Sequence, residues 1–212
     1  MALLLTRIDG LVLGQHYYLT LEDECYALRE YTTGGGFTHS ETNDLISNLK
    51  KDPDRRGKPE WKYKERAIQQ AGRELREAMN LDWLEGAVLV PMPSSTAKTD
   101  AGYDDRLVRV AEVMCEGTHA QVREILVQRV STRPVHLQKQ RRDVDALADN
   151  LEIDERVFEP APAKLVSLDD VLTTGAHVVA AKRVLRTRLP MAHIIGLFVA
   201  RRAIVSDDAE DL

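Results

Sequence analysis

With 29 Lys and Arg against 34 Asp and Glu, the 212-residue chain has a formal net charge of −5 and no global field favouring DNA, RNA or an anionic membrane. Its length supports one full α/β domain, or one domain with a small appendage, and makes two domains of ordinary size a squeeze. Cys25 and Cys115 are the only cysteines and lack metal-type spacing, so a disulfide framework is excluded and both read as small buried hydrophobes in a reducing compartment.

The first residues, MALLLTRIDGLVLG, are apolar, but Arg7 and Asp9 interrupt them short of a signal-peptide core. No later run approaches about 18 apolar residues, so a soluble cytoplasmic protein is expected. Residues 11–19 and 26–31 suit two strands flanking a turn near Glu22 and Asp23, in competition with a helix capped by Thr20. TTGGGF is a loop, and TNDLISNLKK a short helix with Leu45, Ile46 and Leu49 on one face. DPDRRGKPE, charged and with two prolines, is a second loop. In WKYKERAIQQAGRELREAM the spacing of Ile68, Ala71, Leu75 and Met79 predicts an amphipathic helix.

From there the chain alternates. AVLVPMP reads as a buried strand, DRLVRVAEVMCEG as a helix ending near Gly117, and EILVQRV and KLVSLDD as strands. HVVAAKRVLRTRL reads as a helix and HIIGLFVAR as a last strand. Such alternation predicts an α/β fold: a mainly parallel twisted sheet with helices on both faces, preceded by a small N-terminal appendage. The expected division is an appendage over 1–41, one domain over 42–204, and a frayed acidic tail, VSDDAEDL, over 205–212. In sheets of this kind ligands bind beyond the carboxyl ends of the strands, and three polar segments, PSSTAKTDAGY, STRPVHLQKQRRD and DDVLTTGAH, follow strand ends here.

The last segment carries the most chemistry. Leu165, Val166 and Leu168 suit a buried strand, and Asp169 and Asp170 are expected to stop it with two charges that resist burial. Thr173, Thr174, Gly175 and Ala176 then supply hydroxyls, backbone N–H groups and a residue free to take positive φ at a helix entrance. That is an anion site in which phosphate is the usual anion. An ordinary helix cap is the plainer alternative.

An apolar strand, Asp-Asp, two apolar residues, Thr-Thr-Gly-Ala and a helix together resemble the phosphoribosyl-pyrophosphate motif of type I phosphoribosyltransferases. The remaining pieces resemble the ComF-like branch of that family over residues 42–202. VLVPMPSSTAKTDAGY is similar to its strand and pyrophosphate loop, ILVQRVSTRPVHLQKQRRDV to its flexible active-site loop, and LISNLKK to its Leu-Lys segment. The chain departs from the pattern at His177, where Thr or Ser is usual, at Asp143 for Asn, and at Val135 for Gln.

The resemblance implies a function and a set of roles. Asp169 and Asp170 would contact the ribose hydroxyls, and Mg2+ would arrive largely with the diphosphate, touching the two carboxylates through water. Thr173, Thr174, Gly175, Ala176 and His177 would wrap the 5'-phosphate. Ser94, Ser95, Thr96 and Ala97 would form the pyrophosphate loop, with Lys98 and Arg133 as catalytic cations at the leaving group. Gly102 and Tyr103 match a small-aromatic pair. His136 would be an acid or base, Lys139, Arg141 and Arg142 would add loop charge, and Lys50 and Lys51 a basic rim or a helix end. The implied reaction transfers ribose 5-phosphate from phosphoribosyl pyrophosphate to a nitrogen acceptor. A regulatory module that binds a phosphorylated ribose or nucleotide and acts through a protein or nucleic-acid partner is the alternative; a homodimer fits either, and a membrane neither.

Overall fold

The computed structural model describes residues 3–132 and 143–203. The first half of the chain contains strands β1 (Thr6–Arg7) and β2 (Cys25–Tyr31), helices α1 (Glu41–Leu49), α2 (Trp61–Ala78) and α3 (Leu81–Leu84), strand β3 (Val88–Pro91) and helix α4 (Arg106–Cys115). The second half contains β4 (Gln121–Val122), β5 (Leu126–Gln128), α5 (Val144–Asp149), β6 (Leu151–Ile153), β7 (Lys164–Leu172), α6 (Ala176–Arg186) and β8 (His193–Arg202). Six strands form one sheet in the order β1-β2-β8-β7-β3-β4, parallel except for the β1–β2 edge. The protein is thus an α/β fold with a mostly parallel sheet.

Helices cover both faces. Leu45, Ile68, Leu75, Val110 and Met114 of α1, α2 and α4 pack on the sheet residues Leu89, Val166, Leu168 and Leu197. On the opposite face α6 packs its Ala180, Ala181 and Leu185 against Val88, Leu165 and Ile194. The strands buried on both sides read as continuous apolar runs, which is why β3, β7 and β8 stand out in the sequence. Gly72 lets α2 and α4 approach, since a Cβ there would lie 2.6 Å from the Val113 Cβ.

Four expectations change. Residues 11–19 form no strand: the Asp9 carboxylate accepts the Leu11 N–H, its carbonyl accepts those of Val12 and Leu13, and a 3-10 turn at Leu13–Gln15 follows. β2, inside the stretch expected as an appendage, is a parallel neighbour of β8, with Cys25 opposite Gly196 and Tyr31 opposite Arg202. β5, expected in the main sheet, pairs antiparallel with β6 in a separate two-stranded sheet, because the chain leaves the main sheet after β4. Finally, the Asp pair does not stop β7. Its ladder with β8 continues through Asp169–Phe198 to Leu172–Arg201, leaving Asp169 9% and Asp170 4% exposed.

Candidate functional site at the carboxyl end of β7

Successive side chains on a strand face opposite ways, so Asp169 and Asp170 meet different layers. Asp170 looks into the α1-α2-α4 layer. Its Oδ2 accepts from Arg106 Nη2 at 2.7 Å and Nε at 3.1 Å, and its Oδ1 lies 3.0 Å from Lys50 Nζ. Arg106 also donates to Asp104 Oδ2 at 2.6 Å, and Asp104 receives Lys64 Nζ at 2.8 Å on each oxygen. Lys64 is fully buried and donates further to the Lys51 carbonyl at 2.6 Å. Burial pushes the Asp170 carboxyl up, but the Lys50 and Arg106 charges outweigh it and hold the group well below the usual carboxylate range. Burial likewise lowers the pKa of Lys64, with Asp104 opposing.

Asp169 looks toward α6. Its Oδ1 accepts the Asp170 N–H at 2.8 Å, and its Oδ2 lies 3.5 Å from His177 Nδ1. Beyond it the chain turns through Thr173 and Thr174 into Gly175, whose φ of +85° is the left-handed conformation expected of that glycine. Helix α6 starts without a side-chain cap; the Ala176 N–H reaches Thr174 Oγ1 only at 3.5 Å.

The N-terminal segment orients this turn. His16 Nδ1 donates to the Thr173 carbonyl at 2.6 Å, and the Tyr18 N–H donates to the Thr174 carbonyl at 2.9 Å. Leu19 packs where a Gly175 Cβ would sit, 2.6 Å from its Cγ. Both peptide units are trans, so tying their carbonyls to residues 16 and 18 turns the N–H groups of Thr174 and Gly175 the opposite way. Those two N–H groups have no backbone acceptor among the described residues. A carbonyl cannot donate, so His16 carries its proton on Nδ1, leaving buried Nε2 without a partner. Burial is the largest influence on this imidazole and lowers its pKa from 6.5. The bond to Thr173 pulls the other way, and Arg201 and Arg202 add to the lowering.

The loop after β3 lies beside β7 in the sheet but bonds mostly to itself and its neighbour. Ser94 Oγ donates to the Thr96 carbonyl at 2.8 Å, the Ala97 N–H donates to Ser131 Oγ at 2.8 Å, and the Thr132 N–H donates to the Ser95 carbonyl at 2.8 Å. Lys98 pairs with Glu124 at 2.5 Å, and Tyr103 donates to the other oxygen of that carboxylate at 2.5 Å. Asp169 and residues 173–177 lie on the α6 side of the β7 end and Asp170 on the other side, while Lys98 is held by Glu124 rather than by the β7 carboxylates. Arg133, Val135, His136, Lys139, Arg141, Arg142 and the tail at 205–212 lie outside the described residues.

Sequence reasoning did not single out Arg106, Asp104, Lys64, His16 or Tyr18. The DD of AGYDDR was the one visible signal, a charged pair ahead of an apolar helix. Toward Mg2+ the oxygen donors are of the right kind, but Asp170 is occupied by cations, so outer contact through Asp169 is what the residues fit. Among the described residues no cluster of three His, Cys, Asp or Glu side chains is arranged for a metal, and no helix is long and apolar enough to cross a membrane. Compared with protein-family models and with curated proteins, the chain matches none.

Proposed function

We propose that the protein is a type I phosphoribosyltransferase that binds phosphoribosyl pyrophosphate at the carboxyl end of β7. The observation that carries this reading is the Thr173–Gly175 turn, whose carbonyls are tied back so that two N–H groups face away from the N-terminal segment beside Asp169 and Asp170. A 5'-phosphate suits those donors, and the ribose hydroxyls suit the carboxylate of Asp169. In the reaction the C1–O bond to pyrophosphate breaks with its electron pair on the leaving group, a C1–N bond forms, and the acceptor nitrogen gives up a proton to the departing pyrophosphate. Mg2+ bound with the diphosphate would offset its charge, with Asp169 accepting a hydrogen bond from the hydrated ion. The residues contribute positioning and charge, and no covalent enzyme intermediate is required.

The test is mass spectrometry of products after incubation with magnesium, phosphoribosyl pyrophosphate and a panel of nitrogen bases, with pyrophosphate release followed in parallel. Product and release support the reading; tight binding with no release under any acceptor overturns the enzyme. A second reading, a binding module without turnover, is favoured by the pairing of Lys98 with Glu124 and of Asp170 with Arg106 and Lys50, which leaves few free cations for a leaving group.

A further inference from the structure

The charged chain at Asp170 is unbalanced. Asp170 and Asp104 are two carboxylates, and Arg106, Lys64 and Lys50 are three cations bonded directly to them, so one positive charge is in excess. Arg106 and Lys64 cannot be the mobile member: the Arg106 side chain is 18% exposed and bridges both carboxylates, and Lys64 is 0% exposed with three bonds. Lys50 is different. Its side chain is 45% exposed, it makes a single ion pair, and it stands at the C-cap of α1, where the next carbonyl, that of Lys51, is pinned by Lys64. Of the three cations Lys50 is the one whose side chain is half exposed, so it is the one that can exchange Asp170 for an incoming anion while Arg106 stays in place. Arg106 and Lys64 alone would still match the two buried carboxylates.

We infer that Lys50 is the cation that meets the diphosphate of the incoming ligand, and that its link to Asp170 is a placeholder exchanged on binding. This rests on the phosphoribosyl-pyrophosphate reading. Transfer of the ammonium to an anionic ligand frees Asp170 Oδ1 to accept a hydrogen bond from a ribose hydroxyl, so one movement prepares both halves of the site. Lys98, matched one to one by Glu124, has no comparable surplus.

The experiment is calorimetric titration of wild type, Lys50→Met, Lys50→Arg and the surface control Lys62→Met with three probes, each with magnesium: phosphoribosyl pyrophosphate, inorganic pyrophosphate and ribose 5-phosphate. The expected result for Lys50→Met is pyrophosphate affinity lower by about tenfold or more and ribose 5-phosphate affinity within about threefold of wild type, with Lys50→Arg and Lys62→Met near wild type for both. Unchanged pyrophosphate affinity in Lys50→Met, alongside wild-type binding of phosphoribosyl pyrophosphate, overturns the inference and leaves the function standing. Equal losses for both smaller probes assign Lys50 to holding Asp170 in place and also overturn it. A wild type that binds none of the three overturns the function itself.

Discussion

Asp169 and Asp170 are chain neighbours at one strand end, yet the two faces of β7 treat them differently. On the Asp170 face, each carboxylate is met by cations inside the protein: Arg106, Asp104 and Lys64 form a continuous chain of ion pairs with little exposure, and Lys50 adds a half-exposed one. On the Asp169 face, His177 Nδ1 lies 3.5 Å from Oδ2, and the structure is held by hydrogen bonds from the His16 ring and the Tyr18 N–H to carbonyls of the turn before α6. The difference teaches that a pair of acids at a strand end need not share a role. Among the described residues Asp170 is held by Arg106 and Lys50, whereas Asp169 has no Lys or Arg partner.

The largest effect is expected on the compensated face. Lys64→Met removes a buried cation bonded to both oxygens of Asp104 and takes away the bond to the Lys51 carbonyl, so unfolding in urea should show a loss of about 3–5 kcal/mol, as for breaking a buried ion pair. A loss below about 1 kcal/mol would mean that the network is solvated and that the contrast between the faces is false. On the other face the expected effect is intermediate. Gly175→Ala forces a side chain into φ +85° and against Leu19, which should cost about 1–3 kcal/mol and weaken ribose 5-phosphate binding. Destabilisation with unaltered binding would separate the turn from the proposed phosphate site.

The smallest effect concerns His16. Its folded pKa lies below 6.5, so below that value the unfolded chain binds more protons than the folded one. Stability is therefore full above about pH 6.5 and declines as pH falls toward the folded value. Compared with His16→Asn, the wild type should lose its advantage in denaturation midpoint between about pH 7 and about pH 5. A difference independent of pH would place the role of His16 in packing alone.

Residue periodicity sufficed for α1, α2, α4 and α6 and for β3, β7 and β8, because amphipathic spacing and two-faced burial are local properties of the chain. It also pointed to Gly175 as the left-handed residue at the entrance of α6, since only glycine adopts that conformation without steric cost. The continuation of β7 through its two acids was not legible. Burying Asp170 depends on Arg106, 64 residues away in sequence, and burying Lys64 depends on Asp104, 40 residues away. Nothing in KLVSLDDVL encodes those partners. The pairing of β2 with β8 and of Tyr18 with Thr174 is of the same kind, because a ladder or a main-chain bond between distant segments carries no side-chain signature. The sequence by itself determined the segments whose burial pattern is local, α1, α2, α4, α6, β3, β7 and β8, and the glycine turn ahead of α6. Only the tertiary structure decided which carboxylate is neutralised and which carbonyls are tied back, because both depend on charges and backbone groups brought together from opposite ends of the chain.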